Sequence, residues 1–211
     1  MTFVRSEMLR QNGITYANGA IGVPWFTWLL DGISREGWNP EMEDYQRIRM
    51  LMYQKTCGDW GGGRWHLPDA EIERRLNTCL TYAWWPGIDG APQQTFDQKR
   101  HIFKKYIPVL QALALAGWEP VTRATAAPAG TVIERFGGEE GRPLFFTVRN
   151  TDRVSRDVFV TIDLKALGRS AGRIADPLSG TAIAPLKTDG TETISVSLNI
   201  PAQRTAVIEM R

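Results

Sequence analysis

All eight Trp and all five Tyr of this chain lie at or before Trp118, and both Cys and both His lie there too. Beyond Trp118 the sequence is built mainly from Thr, Val, Ala, Gly and Arg with a few Phe. A shift that sharp within 211 residues marks two regions built on different plans. The junction falls near Glu119 to Gly130, where Pro120, Pro128 and the run Ala124 to Ala129 read as a linker. The expected division is 1–122 and 123–211.

The first region reads as short apolar runs alternating with amphipathic helices. Asn39 is placed to cap a helix, with Pro40 at its first position and Glu41, Glu43 and Asp44 in the first turn, where acids suit the helix dipole. Met42, Tyr45, Ile48 and Met52 then recur at helical spacing. A second helix starts near Pro68 and Asp69 and carries Ile72, Leu76, Cys79, Leu80 and Ala83 along one face. A third opens on the capping-box pattern Thr95 to Gln98 and runs to Gly117, with Pro108 expected to kink it. Between them lie Ile21 to Leu30, a weak run at Thr56 to Trp60, and Tyr82 to Ile88. Strands alternating with helices imply parallel βα units. At roughly 30 residues each, about three fit before Trp118, whereas a whole eightfold barrel takes around 250 residues. The first region therefore reads as part of a barrel.

The second region alternates with period two. Leu144, Phe146 and Val148 share one face, as do Val158, Val160, Ile162 and Leu164, and Ile194, Val196, Leu198 and Ile200. With Thr131 to Phe136, Gly172 to Ala175 and Ala206 to Met210 these make an antiparallel β-sandwich of about six or seven strands. The expected fold class is α/β plus all-β: a partial (β/α) barrel of about three βα units, then a small antiparallel sandwich.

Composition excludes several functions. Lys and Arg total 25 against 23 Asp and Glu, a net charge of +2, so no electrostatic case for nucleic acid arises. No apolar run reaches the roughly 18 residues of a membrane helix, and Arg5, Glu7 and Arg10 interrupt the place of a signal-peptide core. Nothing in the sequence assigns a cellular location. Cys57 and Cys79 lack the spacing of a metal or redox motif and read as buried thiols. Gly61 to Gly63 lacks the endings of a phosphate-binding loop, and no metal-ligand pattern occurs. No metal or cofactor is expected.

Three segments carry a family likeness: YANGAIGVPWFTWLLDG, RHIFKKYIPVLQALALAGWEPVTRA, and VIERFGG followed by LFFTVRNTD. With the ending DPLSG and ISVSLNIPAQRTAVIEM, the chain resembles the C-terminal portion of bacterial glycoside-hydrolase-like proteins of amylase and galactosidase type. In these the last units of a TIM barrel precede a small β-sandwich. The resemblance implies a carbohydrate-active enzyme whose substrate is an oligo- or polysaccharide and whose N-terminal barrel half is missing from this sequence. Alone, this stretch is then expected to be inactive. Gly61 to Gly63 with Arg64, Trp65 and His66 depart from any pattern of that family.

Glycoside hydrolysis needs two carboxyl groups, and barrel chemistry gathers where strands end and βα loops begin. Asp31, after the run Val23 to Leu30, Asp59, at the end of the central run, and Asp89, after Tyr82 to Ile88, are the catalytic candidates. Asp31-Gly32 and Asp89-Gly90 also read as plain turn dipeptides. Glu36, Trp38, Trp60, Trp65, His66 and Trp85 are the substrate-binding candidates, because flat aromatic faces stack on the apolar faces of sugar rings. The alternative for each Trp is packing, and for Glu36 and His66 a solvated loop. His101, beside Lys99, Arg100, Lys104 and Lys105, reads as a wet helix face. Two rival readings stand beside the enzyme: a non-catalytic carbohydrate-binding or structural module, and a complete chain of unrelated function.

Overall fold

The fold is that of a computed structural model, described for residues 2–18, 27, 29–36, 42–60, 67–87, 93–138, 142–189 and 192–211. The first region runs α1 (Thr2–Arg10), β1 (Tyr16–Asn18), β2 (Gly32–Glu36), α2 (Met42–Met52), β3 (Thr56–Trp60), α3 (Asp69–Tyr82), β4 (Trp85–Gly87) and α4 (Gln93–Ala116). The four strands form one sheet in the order β1-β2-β3-β4, and every pair is parallel. Strand order thus follows chain order, with α2 and α3 in the crossovers from β2 to β3 and from β3 to β4.

The helix starts and stops follow local chemistry. Pro68 precedes α3, and Asp69 and Glu71 occupy its first turn, where carboxylates meet the positive end of the dipole. Its stop is Ala83, which adopts a left-handed conformation and donates its N–H back to the carbonyls of Cys79 and Leu80. That cap uses up Tyr82 and Ala83, so the strand starts at Trp85 instead of Tyr82. α4 continues through Pro108 as one helix.

One expectation about strands needs correction. The run Ile21 to Leu30 falls largely outside the described residues, and its described part, Thr27 and Leu29–Leu30, is not in the sheet. The strand is GISRE, at Gly32–Glu36, and β1 precedes it. One face of this sheet is covered by α2 and α3, where Ile33, Tyr45, Ile48, Met52, Cys57, Cys79, Tyr82 and Trp84 form a single core. Both thiols are free and buried, as expected.

The second region adds β5 (Trp118–Glu119), β6 (Ala124–Ala127), β7 (Thr131–Gly137), β8 (Leu144–Asn150), β9 (Arg156–Asp163), β10 (Ile174–Asp176), β11 (Thr181–Ala182), β12 (Pro185–Asp189), β13 (Thr193–Ile200) and β14 (Thr205–Met210). They make a six-stranded sheet, β11-β10-β14-β8-β7-β5, and a four-stranded sheet, β12-β13-β9-β6. The strands are more numerous than expected because the short edges carry no clean alternation. Ala124 to Ala129, read as a linker, contains β6, which pairs antiparallel with β9 from Ala124↔Ile162 to Ala127↔Phe159. Leu144, Phe146 and Val148 of one sheet meet Val158, Val160, Ile162, Ile194 and Val196 of the other in a shared core.

All of β8 is buried, which a single packed face cannot explain. The side chains that alternate with its core residues turn toward the helices. Phe145, with Phe136 and Val207, joins Ile72, Leu76, Leu80, Tyr106, Leu110 and Leu113 of α3 and α4 in a second apolar layer. Polar groups finish the seam. Asn77 Oδ1 accepts from the Thr205 N–H (2.8 Å), Thr205 Oγ1 donates to the Asn77 carbonyl (2.8 Å), and Thr147 Oγ1 donates to the Thr81 carbonyl (2.7 Å). Satisfied in this way, these buried groups lock α3 to the six-stranded sheet in one register.

Candidate functional site

The face of the parallel sheet away from α2 and α3 carries small residues under two flat rings. Tyr16 lies across its neighbours in the sheet. A β-carbon at Gly32 would stand 2.5 Å from its ring, and one at Gly58 would stand 2.6 Å from its hydroxyl. A side chain at either position would displace the Tyr16 ring from where it lies, which is why glycine suits both. The hydroxyl donates to the Ile33 carbonyl at 3.1 Å, and burial pushes its pKa up. Trp60, the last residue of β3, lies over Gly87, where a β-carbon would meet its ring at 2.8 Å. Between the rings, Ser34 Oγ donates to Asn18 Oδ1 at 2.9 Å.

Both rings remain open to a ligand, with Tyr16 42% and Trp60 38% exposed. Asn18, Glu36, Trp60 and Gly87 are the carboxyl-terminal residues of the four strands, so the open face leads to the edge where ligands bind in parallel α/β sheets. Two partly exposed aromatic planes beside the exposed amide of Asn18, which the buried Ser34 hydroxyl holds in place, offer a stacking surface and a polar group to one ligand. Among the described residues no group of His, Cys, Asp and Glu is arranged to hold a metal ion. Nor is any helix among them long and apolar enough to cross a membrane.

The predicted site residues scatter. Asp31 precedes β2 instead of following a strand, so it sits at the amino-terminal rim. The Thr15 N–H and hydroxyl each donate to its Oδ2 at 2.8 Å, and Arg5 lies 3.4 Å from Oδ1. The Thr15 donors, with Arg5 and Lys55 adding their charge, hold its pKa below the usual range. It ties β1 to β2. Asp59 is in β3 as expected, but its side chain is 1% exposed and turns toward the helices. There Tyr45 Oη donates to its Oδ2 at 2.7 Å and Arg75 Nε does so at 3.0 Å. A carboxylate sealed behind the sheet cannot reach a ligand on the open face.

Trp60 is the sequence candidate that the structure brings to the open face. Trp85 begins β4, at the amino end, where it is half-buried and lines a pocket with Gln54, Thr56, Leu113 and Trp118. That corrects its expected place at a strand's carboxyl end, and the cause is the Ala83 cap. Glu36 is the last residue of β2, in register with Trp60. Trp38, Trp65, His66 and Asp89 lie outside the described residues. His101 contacts Asp69 at 3.3 Å on an exposed helix face, in keeping with its reading.

Sequence reasoning missed Tyr16, Asn18 and Ser34. The signal was the alternation of Gly32 and Ser34 with Ile33, and of Gly58 with Cys57 and Asp59. Small residues on one face of a strand mark a close approach from above.

No family model matches the chain, and no curated protein does. It is similar in structure to a debranching enzyme from Nostoc punctiforme, at 11% identity and a TM-score of 0.49, over 98% of this chain and 60% of that one. It is similar also to an alpha-amylase from H. orenii, at 9% identity and 0.47, over 100% and 56%. A third is a GH30 endoxylanase from Clostridium papyrosolvens, at 13% identity and 0.46, over 88% and 50%. The chain thus spans 50% to 60% of the length of these proteins. At that level of likeness the chemistry has to be read from this chain's own residues.

Proposed function

We propose that this chain is the C-terminal part of a carbohydrate-active enzyme, a glycoside hydrolase, in which 1–122 supply the last βα units of a barrel and 123–211 a stabilising β-sandwich. Parallel strands whose spatial order follows the chain, with α2 and α3 connecting β2 to β3 and β3 to β4, wind as a (β/α) barrel does. A sheet closes only when both edges are paired, and among the described residues the outer edges of β1 and β4 are not. Those edges suit pairing with the strands of the missing N-terminal barrel half.

The observation that carries the reading is the pair of exposed rings, Tyr16 over Gly32 and Gly58 and Trp60 over Gly87. They form the floor of a sugar site whose rim is the carboxyl ends of the strands. Of the acids, we assign the rim to Glu36, which ends β2, and to Asp89, two residues beyond β4 in sequence. Asp31 and Asp59 leave the catalytic set, because one braces the opposite rim and the other is sealed behind the sheet. Trp38, Trp65 and His66, which follow the ends of β2 and β3 in sequence, remain proposed sugar contacts.

The test is hydrolysis of aryl glycosides by the longest natural form of the protein. Glu36→Gln or Asp89→Asn is expected to lower turnover by a factor on the order of 100 or more, with oligosaccharide binding retained. The second reading, a non-hydrolysing carbohydrate-binding module, is favoured by the rings themselves, since stacking needs no carboxylate. It predicts sugar binding that falls with Trp60→Ala and no hydrolysis to lose.

A further inference from the structure

The acid sealed behind the sheet touches the sugar platform through the backbone. Asp59 immediately precedes Trp60, so its carbonyl belongs to the peptide that joins them. Arg75 on α3 grips that residue twice, with Nη2 donating to the Asp59 carbonyl at 2.8 Å and Nε to its Oδ2 at 3.0 Å. Tyr45 on α2 donates to the same Oδ2 at 2.7 Å. Burial pushes the Tyr45 phenol far above its ordinary pKa, so it stays protonated and stays a donor. Two helices therefore converge on the residue just before the exposed ring.

The arrangement is costly if cohesion is its only purpose. Asp59 Oδ1 is buried without a hydrogen-bond partner, and apolar residues of similar volume often replace a buried ion pair at no loss of stability. What the pair adds is geometry. A guanidinium bound to both the carbonyl and the carboxylate of one residue restrains its backbone as well as its side chain. β3 ends at Trp60, which is in register with Glu36 on one side and Gly87 on the other. On the open face the ring lies so close over Gly87 that a β-carbon there would stand 2.8 Å from it, so its seat depends on where the Asp59–Trp60 peptide is held.

We infer that Arg75, with Asp59 and Tyr45, is a positioning device that sets the orientation of the Trp60 ring, and with it the affinity of the platform for a neutral sugar. The inference rests on the reading of that face as a sugar site. Neutral sugar is specified because Tyr16, Asn18, Ser34 and Trp60, which make up the platform itself, carry no charge at neutral pH, while Glu36, in register with Trp60, is the acid proposed for the rim.

The test uses the indole N–H resonance of Trp60, assigned by its loss in Trp60→Phe, and titration with maltotriose as the probe. Arg75→Lys keeps the charge and loses the two-point grip. It is expected to shift and broaden the Trp60 resonance and to weaken maltotriose binding about tenfold, while Tyr45→Phe shifts the resonance less. Val196→Ala, in the distant core of the antiparallel sheets, lowers the melting temperature and is expected to leave the resonance in place. An unmoved Trp60 resonance in folded Arg75→Lys, or an equal shift in Val196→Ala, overturns the positioning role. Should Arg75→Lys fail to fold, an unmoved resonance in Tyr45→Phe overturns it instead. If Trp60→Phe binds maltotriose as the wild type does, the sugar reading fails, and the resonance still decides whether Arg75 positions the ring.

Discussion

The parallel sheet and the two antiparallel sheets solve the same problem in different ways. The antiparallel pair faces inward on a common core, and the second face of β8 is covered by α3 and α4. Among the described residues, the parallel sheet buries one face under α2 and α3 and carries Tyr16, Asn18, Ser34 and Trp60 on the other. All-parallel sheets are ordinarily covered on both sides. One part of the molecule is thus finished as a packing unit, and the other exposes the two rings proposed above as a sugar platform. On that proposal, stability and function separate along the same line.

The largest expected effect sharpens the contrast. Phe146 is fully buried in the core of the antiparallel sheets, and Phe146→Ala is expected to cost about 3 to 5 kcal/mol in urea unfolding. Trp60→Ala, at an exposed ring on the open face, is expected to cost less than about 1 kcal/mol while removing most sugar affinity. Equal losses of stability in the two variants would erase the distinction.

Next comes the ionisable group between the two regions. Glu134, on β7, is 4% exposed and accepts the Trp118 indole N–H at 2.7 Å. Burial pushes its pKa up to about 7, against smaller opposing effects of the Trp118 hydrogen bond and of Arg49. A carboxyl that holds its proton in the folded state and releases it near 4.5 when unfolded binds more protons folded than unfolded between those values. Its contribution is therefore complete below the unfolded value and is lost as pH rises to about 7. The fall is at most roughly 3 kcal/mol. Glu134→Gln is expected to flatten that part of the stability profile, measured by denaturation at a series of pH values. An unchanged slope would place the proton elsewhere.

The smallest effect is local. Amides of β1 and β4 are expected to exchange with solvent faster than those of β8, β9 and β13, because they are the outer strands of the described parallel sheet and edge strands open without global unfolding. Uniform protection across both regions would show that the parallel sheet is as well closed as the other two.

The same contrast decides what the sequence reveals. β9 and β13 were legible because one face is buried and the other wet, so apolar residues recur every second position. α3 was legible from Pro68, its acidic first turn and the stripe from Ile72 to Leu80. β2 was not, because Gly32 and Ser34 replace apolar residues where Tyr16 lies on the sheet, leaving Ile33 to mark the strand alone. The greasier run before it drew the reading, and Asp31 was assigned to the wrong rim as a result. β6 hid for a related reason: an edge of Ala and Thr gains its place from backbone pairing with β9, which composition does not record. Asp59 was found in the right strand, but its burial depends on Tyr45 and Arg75, 14 and 16 residues away. Sequence signals thus fade where a residue is chosen for a partner across the fold.

The central claim is that the parallel sheet is one part of a closed barrel, and the intact mass of the protein in its natural source tests it most directly. The account predicts a product well above 23.7 kDa, with further βα units encoded ahead of Thr2 to pair the free edges of β1 and β4. A natural product of 23.7 kDa would contradict it.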